Sequence, residues 1–162
     1  MSQHGDRGVE TGRSSASQPF RVEDLFGFLR GAWGFARKVH DSQLDKEGES
    51  TGEALFVPDG DALNYSEADI KGEEDISAVF PREFRYGFPA ASMAEVRLSD
   101  GGFFHVLDLT KGMVRVDCEN GIETYNGVFR IVSENAWLSV WRVTGPDTSQ
   151  IITTHYLRVR PS

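Results

Sequence analysis

The sequence predicts an all-β chain folded as a single antiparallel barrel of roughly nine or ten strands, with one short helix in front of it. Three observations lead there. From Trp33 onward apolar residues tend to recur at every second position, the period of a strand with one face turned inward. Gly, Asn, Asp and Pro punctuate that pattern at short, even intervals. Successive hairpins then favour closure, because a barrel removes the exposed edges that a sandwich has to blunt.

The helix is predicted over Val22–Arg30. Leu25, Phe26, Phe28 and Leu29 form its apolar side, Glu23 and Asp24 suit its N-terminus, and Gly31 is a fitting stop. The first strand covers Trp33–His40, with Trp33, Phe35, Arg37 and Val39 on one face. Further strands are predicted near 51–57, 62–70, 77–88, 92–99, 102–109, 112–118, 122–133, 137–144 and 150–160. Pro58-Asp59-Gly60, Ser99-Asp100-Gly101-Gly102, Asn120-Gly121 and Gly145-Pro146-Asp147 separate several of them. Asn120-Gly121 is the sharpest signal, since a two-residue hairpin turn with positive φ at both positions favours that pair. Pro81 and Pro89 mark 77–88 as a broken or edge strand. Met1 to about Gln18 mixes Gly, Ser, His and both charge signs; it reads as a flexible tail, leaving 19–162 as the barrel domain.

Composition narrows the function classes. At 162 residues, 39% hydrophobic and 11% aromatic, the chain is one globular domain by length and content. Its net charge is −8, and residues 41–83 hold thirteen acids against three bases. So acidic a chain, with no basic stripe, argues against nucleic acid and anionic membrane surfaces as partners. The acidic block reads as solvated loops and strand faces. No apolar run reaches membrane-spanning length or resembles a secretion signal, so a cytoplasmic protein is expected. The single cysteine, Cys118, follows the alternation of its strand and reads as a packing residue.

The strong chemical motifs are absent: no phosphate loop, no dinucleotide glycine fingerprint, no His-Glu-x-x-His, no cysteine pair for zinc. His4, His40, His105 and His155 have no metal-ligand spacing. Neither metal nor cofactor is expected. What remains is polar residues on apolar strand faces. Arg37 shares a face with Trp33, Tyr65 and Glu67 with Leu63, His105 with Phe103 and Leu107, Tyr125 with Phe129 and Ile131, and Tyr156 and Arg158 with Ile152. A buried charge is costly unless paired, which makes Arg37 with Glu67 the obvious couple. The pair has two readings. It is an internal salt bridge fixing strand register, or Arg37 holds an anionic oxygen of a ligand while Glu67 or His105 handles a proton. Trp137 and Trp141 alternate on one face, as core residues do and as rings lining a ligand cavity also do.

Leu29-x-Gly31-x-Trp33-x3-Arg37, Gly52-x-Ala54-x-Phe56, Leu63-x-Tyr65-x-Glu67, Asp100-Gly101-x2-Phe104-His105, Cys118, Tyr125, Trp137-x3-Trp141-x-Val143-x-Gly145-Pro146 and Tyr156-x-Arg158 follow one another in order. Together they resemble the domain of unknown function 6314, over about residues 25–160. That resemblance implies a calycin-like, lipocalin-like barrel. Gly31-x-Trp33 on the first strand, with Arg158 near the end of the last, also resembles the lipocalin signature. It implies that the arginine covers the tryptophan ring at the closed end of the barrel. The chain departs from the family pattern at Val116, where a histidine is expected, at Gly102, where an arginine is, and at Asp147-Thr148, in place of a basic pair. These departures imply a less charged ligand.

Three functions follow from these residues. The first is a barrel that binds a small apolar or aromatic molecule, with Arg37, Tyr65, Trp141 and Tyr156 as ligand contacts. The second is a cofactor-independent isomerase, cyclase or lyase on a small organic substrate, with Glu67, His105 and Tyr125 as acid and base. The third is an interaction module with a filled core, whose polar interior residues only specify register. An open cavity separates the first two from the third, and a titratable group within reach of that cavity separates the second from the first.

Overall fold

A computed structural model of the chain describes residues 18, 20–72 and 76–160. The tail expected up to Gln18 lies, apart from Gln18 itself, outside the described residues. Among the described residues ten strands follow one helix: α1 Leu25–Leu29, β1 Gly31–Asp41, β2 Lys46–Asp59, β3 Ala62–Gly72, β4 Glu83–Ala90, β5 Met93–Leu98, β6 Phe103–Asp108, β7 Met113–Asn120, β8 Glu123–Ser133, β9 Ala136–Gly145 and β10 Thr148–Arg158. All ladders are antiparallel, in the order β6-β5-β4-β3-β2-β1-β10-β9-β8-β7. First and last strands pair along their length, Trp33 opposite Arg158 and Val39 opposite Ile152. β6 and β7 come together at the ends of that order, with no ladder between them among the described residues. The sheet is a nearly closed barrel.

The helix is shorter than its pattern predicts. Asp24 takes an extended backbone and caps it, its Oδ1 accepting from the Gly27 N–H at 3.1 Å, so Val22 and Glu23 fall outside; Arg30 leaves the helix at the other end. Leu25 and Leu29 point into the barrel and close one end of it. There Trp33 is wholly buried, its indole N–H donating to the Leu29 carbonyl at 2.8 Å. The Arg158 guanidinium lies 4.3 Å from the Trp33 ring centroid and donates to the carbonyls of Phe28 and Glu134. The cation–π cover expected from the lipocalin signature is in place, tied to backbone on two sides.

Three local readings are corrected. The segment 77–88 becomes a strand only at Glu83. Pro81 cannot donate to a ladder, and Phe80 before it turns into the barrel instead. The hairpin at Asn120-Gly121 is shifted by one residue. Asn120 is the last ladder residue, opposite Glu123, and the turn is Gly121-Ile122 with positive φ at Gly121 alone. A turn that needs positive φ only at its first central position accepts Gly-x as readily as the other kind accepts Asn-Gly. On β6, Phe103 faces outward, while Phe104 and His105 are both buried. The β5–β6 register shifts between Val96 and Arg97, and a bulge places two successive side chains on one side.

Candidate functional site

The barrel interior holds two clusters that meet at one small cavity of about 30 Å³. The first is polar. Alternation brings Arg37 on β1, Tyr65 and Glu67 on β3, and Thr154 and Tyr156 on β10 to the same space. Arg37 binds Glu67 through both terminal nitrogens, Nη1 to Oε2 and Nη2 to Oε1 at 3.1 Å, while its Nε donates to Thr154 Oγ1 at 2.9 Å. The Tyr65 hydroxyl donates to Glu67 Oε1 and lies 3.2 Å from the Tyr156 hydroxyl. Arg82, in the segment before β4, places Nη2 3.2 Å from Glu67 Oε2 and 2.8 Å from Asp69 Oδ1. Each Glu67 oxygen thus has two donors against it.

The second cluster is aromatic. Phe84 and Phe104 stack at 5.7 Å, Phe104 and Trp141 at 6.0 Å, and Tyr125 meets Phe104 edge-on at 5.3 Å. His105 lies 5.5 Å from Trp141. On the far side Trp137 lies flat on Tyr156, centroids 3.8 Å apart. Trp141 rests against β8 only because Gly127 stands opposite it: a Cβ there would be 2.7 Å from the indole ring.

Burial sets the protonation states. Removal from water pushes the Tyr65, Tyr86, Tyr125 and Tyr156 phenols up. It pulls the His105 imidazole down to about 4. Burial alone would lower Arg37 too, but its bonds to Glu67 outweigh that and hold the guanidinium above its usual value. The Cys118 thiol is pushed up to about 11 by burial, with Asp117 adding to it, as befits a packing residue. Among the described residues no cluster of three or more His, Cys, Asp or Glu side chains could hold a metal ion. Among them, too, no helix is long and apolar enough to cross a membrane.

Of the residues singled out from the sequence, Arg37, Tyr65, Glu67, His105, Trp141 and Tyr156 all line the cavity. Tyr125 does not; it stands behind, against Phe80 and Phe104. Sequence reasoning missed Phe80, Arg82 and Gln150. Phe80 enters the aromatic cluster from irregular backbone, 5.0 Å from Trp141, 5.6 Å from Tyr125 and 5.8 Å from Phe84. Gln150, buried on β10, holds that backbone: its Oε1 accepts from the Val79 N–H at 2.8 Å, and its Nε2 donates to the Ser77 carbonyl and to Asp41 Oδ2. Pro81 was the only sequence signal that the chain leaves the sheet here. At the family-variant positions, Val116 is buried, while Gly102 and Asp147 are exposed in turns.

Comparison with known proteins adds the following. Residues 29–158 match the model of a family of unknown function (DUF6314). No match is found among curated proteins. Among solved structures, the S-type phycobiliprotein lyase CpeS of Guillardia theta superposes with a TM-score of 0.64 at 8% identity, over 85% of this chain and 92% of that one. A protein of unknown function from Nostoc punctiforme, in the DUF3598 family, superposes with a TM-score of 0.63 at 10% identity, over 87% of this chain. The alignment spans about half the length of that protein, 51%. At such identities these likenesses establish the barrel fold and nothing finer.

Proposed function

The chain belongs to the family of unknown function DUF6314, and on that footing we propose that it is a binding barrel for a small apolar or aromatic molecule. One observation carries the reading: the barrel is sealed by α1 at one end and lined inside by rings with a few convergent polar groups. The space they leave is only about 30 Å³, so a ligand enters by displacing a side chain. Arg37, Tyr65, Trp141 and Tyr156 are the ligand contacts. The likeness to a phycobiliprotein lyase agrees with a barrel that holds a small molecule, though only at the level of fold.

Binding is favoured over catalysis by the electrostatics. An acid or base at neutral pH works best with a pKa near 7. Here the phenols are pushed up and His105 is pulled down to about 4, both away from that value. Glu67 is engaged by Arg37, Tyr65 and Arg82. The isomerase, cyclase or lyase reading of Glu67, His105 and Tyr125 therefore stands second.

Native mass spectrometry of protein purified without denaturation tests the proposal. The expected result is a small-molecule adduct that is lost on unfolding. A bare mass, together with a melting temperature unmoved by a panel of uncharged aromatic compounds, would favour the filled-core interaction module instead.

A further inference from the structure

The interior cavity of about 30 Å³ has room for roughly one water and for no organic ligand. If the barrel binds a small molecule, some side chain must leave. Phe84, Phe104, Tyr125, Trp137, Trp141 and Tyr156 all stand on strands, where the backbone that carries them cannot shift without breaking a hydrogen-bonded sheet. Phe80 does not. It hangs from the 76–82 strap, which crosses the end of the barrel opposite α1 and is latched by Gln150. Ile76, Ser77, Ala78 and Arg82 of the strap, with Arg37 and Asp69, line a cleft of about 570 Å³, so a displaced strap has space beside it.

Two further observations describe what would fit. Among the described residues, Trp137 Nε1 is the one buried side-chain polar atom without a hydrogen-bond partner, and Trp137 lines the cavity. A buried N–H left unpaired is costly, and an acceptor placed there recovers that cost. The charges near the mouth cancel: Arg37 and Arg82 face Glu67 and Asp69, each guanidinium engaged. A net ionic group entering there would be unmatched.

We infer that Phe80 is a built-in stand-in for the ligand: an uncharged, planar, conjugated molecule bearing a carbonyl oxygen takes its seat against Trp141, Phe84 and Phe104 as the 76–82 strap swings out. The inference rests on the binding reading above. The carbonyl accepts from Trp137 Nε1, and the Phe80 ring moves to the cleft. Wild-type affinity is then lowered by the fraction of molecules in which the seat is filled by Phe80.

Prodan, an uncharged acylated aminonaphthalene whose emission reports both burial and hydrogen bonding to its carbonyl, is the probe. Phe80→Ala should bind it about tenfold or more tightly than wild type, because the internal competitor is gone. Gln150→Ala, which releases the latch and leaves the seat untouched, should shift affinity the same way and serves if Phe80→Ala does not fold. Trp137→Phe in the Phe80→Ala background should weaken prodan about three- to tenfold, as loss of one hydrogen bond does. Naphthalene, which lacks the carbonyl, should compete equally well with either. Prodan bound no more tightly by Phe80→Ala or Gln150→Ala than by wild type, or by none of the three, overturns the exchange. A small-molecule adduct in the native mass spectrum of wild type, beside that result, would leave the binding barrel standing without it.

Discussion

The guanidinium of Arg37 grips both oxygens of Glu67 across the barrel interior, with side chains only 9% and 3% exposed. Among the described residues Arg37 has no other carboxylate in salt-bridge contact, whereas Glu67 also meets Arg82. Glu67→Leu should lower stability by about 3–5 kcal/mol, since it strands the buried Arg37. Arg37→Met should cost less, because Glu67 keeps Arg82 and the Tyr65 hydroxyl. Combined, they should recover much of that loss. Arg82 retains Asp69, and the Tyr65 hydroxyl retains Tyr156. Denaturant unfolding of the four species of this cycle gives the coupling. A double variant that also keeps its ligand would assign the pair to register; one that folds but loses the ligand would assign it to binding.

Trp33→Ala should cost about 3–5 kcal/mol, the range for truncating a buried aromatic. Arg158→Ala should cost less. Its cation–π contact contributes about 0.5–1 kcal/mol at a partly exposed site, and its bonds to the Phe28 and Glu134 carbonyls add to that. Arg158→Ala should not alter prodan affinity beyond its effect on folding, because it lies at the sealed end and away from the seat. Trp33 packs edge-on against Trp137 and is read by stability alone. Urea midpoints read the first effect and fluorescence titration the second.

His105 supplies a pH dependence. Its ordinary value of 6.5 falls to about 4 in the fold because burial disfavours the imidazolium. Between those values the unfolded chain takes up a proton that the folded chain does not. Stability is therefore complete above pH 6.5 and is lost as pH falls toward 4, by about 3 kcal/mol from this residue. In His105→Phe that slope should flatten, leaving the carboxylates to dominate acid unfolding. Unfolding curves at closely spaced pH values would reveal it.

Gly127→Ala should destabilise by about 1–3 kcal/mol through overpacking. The new methyl would stand 2.7 Å from Trp141, and the indole has Phe80, Phe104 and His105 on its other sides. A changed tryptophan emission spectrum should accompany the loss. Unchanged stability and emission would mean that the Trp141 seat is looser than its neighbours imply.

What could be read from the chain was whatever obeys a period. Trp33-x-Phe35-x-Arg37 and Leu63-x-Tyr65-x-Glu67 keep strict alternation, so the inward faces and the Arg37–Glu67 pair were legible, and the cost of an unpaired buried ion supplied the link between two distant strands. His105 was placed inside correctly but with the wrong neighbour. The bulge that buries Phe104 beside it depends on pairing with β5, which no local pattern records. Phe80, Arg82 and Gln150 escaped for a related reason. The first two sit on backbone with no repeat to project them, and the third matters only through the segment it latches. Asn120 misled because two turn geometries share the same glycine.

The pairing of β1 with β10 has a consequence for how the barrel is made. The other ladders join strands adjacent in the chain, so nearly all of the sheet can assemble as local hairpins. Trp33 meets Arg158 only across the whole length of the fold. Closing so long a loop costs chain entropy that local pairing does not, and folds dominated by such contacts are slow. Two open meanders, β1 to β6 and β7 to β10, are therefore expected to form first, with the β1–β10 zipper joining them late. Substitutions at Phe35 or Thr154 should then speed unfolding while leaving the folding rate nearly unchanged, whereas changes in the β8–β9 hairpin should slow folding. On a ribosome the first strand waits, unpaired on one edge, until the last has emerged.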